Sequence, residues 1–143
     1  MRQKYNYLLS LVLVFIIPTF IAGYFVVPHI SIKQLVVFVA TVTIMGGLYD
    51  LWATKHGKRD PVWIWSFNSR DTIGLKFLGV PIEEYLFYVF TSTYVVFIWE
   101  SISIALETKS FFFWFLPPAI GLWTLVCVSI SYKLNPKKDR LIG

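Results

Sequence analysis

The residues Pro81-Ile82-Glu83-Glu84 set two adjacent carboxylates at the head of a strongly apolar run. Ionisable groups in such runs are costly and are functional candidates by default. Two carboxyls this close titrate as a pair, which leaves one able to donate a proton while the other accepts or tunes. Proline suits the first turn of a helix, because its missing N–H would lack a partner there. A third acid, Asp50, stands in Gly46-Gly47-Leu48-Tyr49-Asp50-Leu51-Trp52-Ala53, near the end of an earlier apolar run. Each has a plainer reading beside the chemical one. Glu83 and Glu84 can be solvated charges at headgroup level, and Asp50 an interfacial acid paired with Lys55 or Arg59. Glu100 lies sixteen residues beyond Glu84, roughly 24 Å along a helix, and reads as an acid of the opposite interface.

These acids need a scaffold, and the composition says which. Of 143 residues 57% are apolar and 15% are charged, with a mean hydropathy of +0.65. A soluble domain carries about 25% charged residues. Four runs approach the roughly 20 apolar residues that cross a bilayer: 7–27, 35–53, 82–105 and 111–132. Inside lipid the backbone must satisfy itself, so each run is expected to be helical. Pro18 should kink the first, and Pro117 and Pro118 should deform the start of the fourth. The first run is too long for a signal peptide, and no A-x-A pattern follows it. The fold expected is all-α: one domain over 1–143, a polytopic bundle of four transmembrane helices.

Lysine and arginine give the orientation. Arg2 and Lys4 precede the first run, Lys55, Lys58, Arg59, Arg70 and Lys76 lie between the second and third, and Lys133, Lys137, Lys138 and Arg140 follow the fourth. Lys33 and Lys109 stand alone in the other two connections. Eleven basic residues therefore share one side and two the other. By the positive-inside rule the rich side is cytoplasmic, so both termini are inside, in the cell membrane. The same pattern explains the net charge of +5 as topology and contact with anionic lipid rather than nucleic acid. Cys127 is the single cysteine, so no intrachain disulfide can form, and no Cys/His cluster suggests a metal. His29 and His56 fall in connections and read as surface residues. The connection 54–81 is long enough to be functional, with Glu83, Glu84 and Asp50 at the same membrane depth at its ends.

Aromatic residues make up 19% of the chain. Their usual meaning is packing and interfacial belts. Ring faces also attract cations, so a carbocation held against a polyene is a further possibility.

The stretch Tyr49-Asp50-Leu51-Trp52-Ala53, then Trp63-Ile64-Trp65-Ser66-Phe67-Asn68, then Gly74, then Gly79-Val80-Pro81-Ile82-Glu83-Glu84-Tyr85-Leu86-Phe87-Tyr88, resembles the membrane-integral lycopene cyclase domain. That family occurs in archaea and fungi, and as heterodimeric subunits in some bacteria. The resemblance covers residues 46–101, and Glu100 also fits one half of the family.

The resemblance implies cofactor-free cyclisation of a linear carotenoid end group. A proton adds to a terminal double bond, a neighbouring alkene attacks the cation, and a second proton leaves. Glu83 or Glu84 would be the acid and Asp50 a partner carboxylate. Trp52, Trp65 and Phe87, with Pro81 and Glu100, would belong to the substrate pocket. Helical spacing sets Glu83 on a face with Phe87 and Phe90, and Glu84 with Tyr88 and Thr91, which favours Glu83 as donor. Such domains normally act in pairs, so a homodimer or a homologous partner subunit is expected, touching through Gly46 and Gly47. The alternative is a non-catalytic membrane scaffold or transporter-like subunit. A Glu-Glu intramembrane protease fits poorly, because position 88 is Tyr and neither histidine lies in a membrane run.

Overall fold

The computed structural model describes residues 6–56 and 72–134. Four helical segments in it are long and apolar enough to cross a membrane: Tyr7–His29, Ile32–Thr54, Ile82–Thr108 and Phe111–Ile130. The protein is all-α and polytopic, as the hydropathy predicts. Trp65 and the rest of the aromatic segment 63–68 lie outside the described residues, as do Arg2, Lys4, Lys58, Arg59, Arg70, Lys137, Lys138 and Arg140.

The first span is composite. Helix α1 (Asn6–Leu11) passes into a π-helical turn (Val12–Ile16), then into α2 (Ile17–Val26), and ends in a 3-10 turn (Val27–His29). The irregularity sits next to Pro18, where a kink was expected. Helix α3 (Ile32–His56) forms the second span. Helix α4 (Ile82–Thr108) forms the third, and α5 (Phe111–Leu134) the fourth. Pro117 and Pro118 lie within α5, which runs through both without a break. Helix α4 runs three residues past its sequence estimate, through Leu106, Glu107 and Thr108. Glu100 lies inside this helix, eight residues before its last residue.

Before α4 the chain makes a small hairpin that hydropathy did not announce. Strand β1 (Lys76–Phe77) pairs antiparallel with β2 (Val80–Pro81), Phe77 opposite Val80. The two turn residues, Leu78 and Gly79, have φ of 52° and 89°. Positive φ at both centres is what a two-residue hairpin turn of type I′ demands. Glycine adopts it freely and leucine does not. Val80 and Pro81 are fully buried, so the hairpin is anchored by its second strand. Pro81 is the cap residue before α4 rather than its first helical residue.

Helix α4 is central, packing against α2, α3 and α5. In one half of the bundle it builds an apolar core with Ala22, Val26, Phe97, Ile104, Leu116 and Ile120. In the other half, where α4 starts and α3 ends, the interior holds acids. Helix α3 is peripheral: 11% of its apolar window is buried in the chain, against 39% for the first span. Its outer face is left for lipid or for another subunit.

Candidate functional site

Glu83, in the first turn of α4, is 0% exposed. Its Oε1 accepts the backbone N–H of Ile73, from the segment before the hairpin. Its Oε2 is buried and has no hydrogen-bond partner among the described residues. The neighbouring Thr72 is also buried, with its Oγ1 unpartnered among the described residues. The segment is held further by the Ile82 N–H on the Leu75 carbonyl at 3.0 Å. The Tyr85 hydroxyl adds a bond to the Phe77 carbonyl at 3.2 Å. Glu83 thus joins the connection to the helix through one oxygen and keeps the other free.

Asp50 repeats this pattern from α3. It is 1% exposed. Oδ2 accepts the Tyr88 hydroxyl at 3.1 Å, and Oδ1 is buried without a partner among the described residues. Two glycines make the approach possible. A Cβ on Gly46 would lie 2.5 Å from the Tyr88 ring, and one on Gly47 would lie 2.8 Å from the Tyr85 ring. Any other residue would push these rings off α3. The glycines assigned from sequence to a contact between copies are therefore used within the chain.

Glu84 turns a different way from Glu83, as residues about 100° apart on a helix must. It is partly buried and lies within interaction reach of the Tyr7 hydroxyl of α1, of Asp50 and of Glu83. The site predicted from sequence thus draws together Asp50, Glu83, Glu84 and Pro81 at one end of the bundle. Phe87 lies one turn below, edge-on to Phe15 at 5.6 Å and to Tyr88 at 5.7 Å.

Two members of the predicted set lie elsewhere. Trp52 is 56% exposed on α3, with its ring beside Tyr49 at 6.0 Å. Glu100 is partly exposed, more than four helical turns along α4 from Glu84. His29 ends the first span and meets the Phe113 ring at 5.6 Å. Sequence reading missed Tyr7 and Thr72. Tyr7 opens an apolar run, and nothing in its own neighbourhood announces a carboxylate partner. Thr72 stands next to a backbone donor whose partner is ten residues away.

An open apolar groove of about 460 Å³ runs between α3 and α4, lined by residues including Val36, Ala40, Thr43 and Ile44 on one side and Val89 and Thr93 on the other. One turn further along α3 come Gly46 and Gly47 with their tyrosine rings, and one more turn brings Asp50. Among the described residues no group of three or more His, Cys, Asp or Glu side chains could hold a metal ion. Comparison with protein-family models, with curated proteins and with solved structures gives no match.

Proposed function

We propose that the protein is a carotenoid end-group cyclase of the lycopene cyclase type in the cell membrane, working as a homodimer or with a homologous partner subunit. One observation carries the reading. Asp50 and Glu83 are fully buried, and each is fixed through one oxygen while the other oxygen has no partner among the described residues. Buried polar groups normally find partners. An acid and a base for hydrocarbon chemistry must instead be held in place while keeping an atom free for a substrate that offers no hydrogen bonds.

In this reading Glu83 gives its proton to the terminal alkene, and the adjacent double bond closes the ring on the resulting cation. Asp50 stabilises that cation electrostatically and Glu84, with Tyr7, tunes the pair. A carboxylate takes the proton lost when the ring double bond forms, so nothing is oxidised and no cofactor enters. The Phe87 and Tyr88 rings offer faces to positive charge. The groove along α3 and α4 suits a linear hydrocarbon arriving from lipid, and its line leads toward Asp50. The peripheral position of α3 leaves that groove open to a second domain, which would complete its wall.

The test is expression in a bacterium that accumulates lycopene, alone and with a homologous second domain, followed by pigment analysis. Monocyclic or bicyclic product supports the cyclase. Unchanged lycopene in both settings, with the protein inserted, overturns it in favour of a non-catalytic scaffold.

A further inference from the structure

The first span changes hydrogen-bond register in front of Pro18. Across Val12–Ile16 it is π-helical, and the Ile17 N–H reaches back to the carbonyl of Val12 instead of Leu13. The next residue that could serve Leu13 is Pro18, which has no N–H. The Leu13 carbonyl therefore lacks a donor from its own helix, a costly condition inside a membrane.

Helix α5 supplies the donor. The indole Nε1–H of Trp123 meets the Leu13 carbonyl at 2.8 Å. One turn on, the Cys127 thiol approaches the same oxygen at 3.9 Å. Beside Trp123, the Thr124 hydroxyl meets that of Tyr94 at 3.1 Å. Tyr94 and Phe87 hold the ring of Phe15 edge-on between them, at 5.7 and 5.6 Å. Phe15 belongs to the π-helical turn.

The register matters for what lies beyond it. A π-turn holds one more residue than an α-turn, so the segment before it is rotated about the axis by roughly 100° relative to a continuous α-helix. Tyr7 is in that segment, and its hydroxyl lies near Glu84. We infer that Trp123 is a positioning residue for the carboxyl cluster: by capping the Leu13 carbonyl it stabilises the π register that turns Tyr7 onto Glu84 and Phe15 onto Phe87. Its bearing on catalysis rests on the cyclase reading above, whereas the geometric coupling can be measured without any reaction.

The experiment uses the full chain in membranes, with Cys127→Ser removing the single native cysteine. Tyr7→Cys and Glu84→Cys are introduced together, and bridging by a short bis-methanethiosulfonate reagent is followed by intact-protein mass. A second pair, Gly47→Cys with Tyr85→Cys, reports the α3–α4 contact. Trp123→Phe should slow bridging of the first pair about fivefold, the effect of losing one hydrogen bond. It should leave the second pair unchanged. Trp123→His keeps a ring N–H and should recover most of the rate. Unchanged bridging between positions 7 and 84 in Trp123→Phe overturns the inference. So does loss of both pairs, since the indole would then hold the bundle rather than the register, and so does a histidine variant no better than phenylalanine. If the expected pattern holds but lycopene is never cyclised, the positioning stands and the cyclase reading falls.

Discussion

The Tyr88 hydroxyl donates to Asp50 Oδ2 across 3.1 Å, joining residues 38 apart in sequence. Among the described residues Tyr88 is the one hydrogen-bond partner of this fully buried carboxyl, whose other oxygen has none. It also ties α3 to α4 at the site, where the Tyr88 ring already rests on Gly46.

Tyr88→Phe should therefore cost more than one ordinary hydrogen bond. It keeps the ring on Gly46 but leaves both Asp50 oxygens buried without partners. The expected loss is about 1–3 kcal/mol of stability, measured by unfolding in mixed micelles. Asp50→Leu in the same background should remove most of that penalty. The double-mutant coupling should reach at least about 0.5 kcal/mol, the floor for side chains that touch. A coupling near zero would mean that the bond contributes nothing to holding the two helices.

The glycines provide an internal comparison. Alanine at Gly46 puts a methyl group 2.5 Å from the Tyr88 ring, whereas a Cβ at Gly121 in α5 meets nothing within 4 Å. Gly46→Ala should destabilise by about 1–3 kcal/mol, as overpacking does. It should also release the Asp50–Tyr88 bond. Gly121→Ala should be neutral or stabilise by up to about 1 kcal/mol through helix propensity. Equal effects at the two positions would show that the close α3–α4 approach does not exist in the membrane.

The four spans were legible from hydropathy because each is a long apolar run, and a run of that length satisfies its own backbone in lipid as a helix. The acids were legible because charge in such runs is rare. What stayed hidden depended on three-dimensional closure. The hairpin at Leu78-Gly79 involves four paired residues, too few to leave a period-2 pattern. The π-turn was half visible: Pro18 announced an irregularity, but its form depends on Trp123, far along the chain. Tyr7 could not be picked from the other aromatics until the π register had oriented it. Asp50 and Glu83 were picked by type, but their shared condition of one fixed and one free oxygen is a property of packing.

Topology follows from charge and can be checked directly. With eleven of thirteen basic residues on the side of the termini, a reporter fused after Gly143 should be active in its cytoplasmic form. A reporter inserted after Lys109, between α4 and α5, should be active in its exported form. An exported signal at Gly143 would reverse the bundle and put the carboxyl cluster on the outer side.

The sharpest discrimination lies between the adjacent glutamates. Glutamine at position 83 keeps a carbonyl oxygen to accept the Ile73 N–H, so the tie between the connection and α4 survives. What it removes is the acid. In a lycopene-accumulating host Glu83→Gln should lower cyclised product by at least about a hundredfold, the lower range of a general acid's contribution. Expression and insertion should be unchanged. Glu83→Ala should lose the tie as well, and the segment around Ile73 should become open to protease, which separates the chemical role from the structural one. Glu84→Gln keeps the side chain's size and an amide oxygen while removing its titrating proton. Its effect should be real but smaller. Should Glu83→Gln cyclise lycopene at the normal rate in an otherwise active assembly, Glu83 is a clamp alone. The donor must then be Glu84 or Asp50.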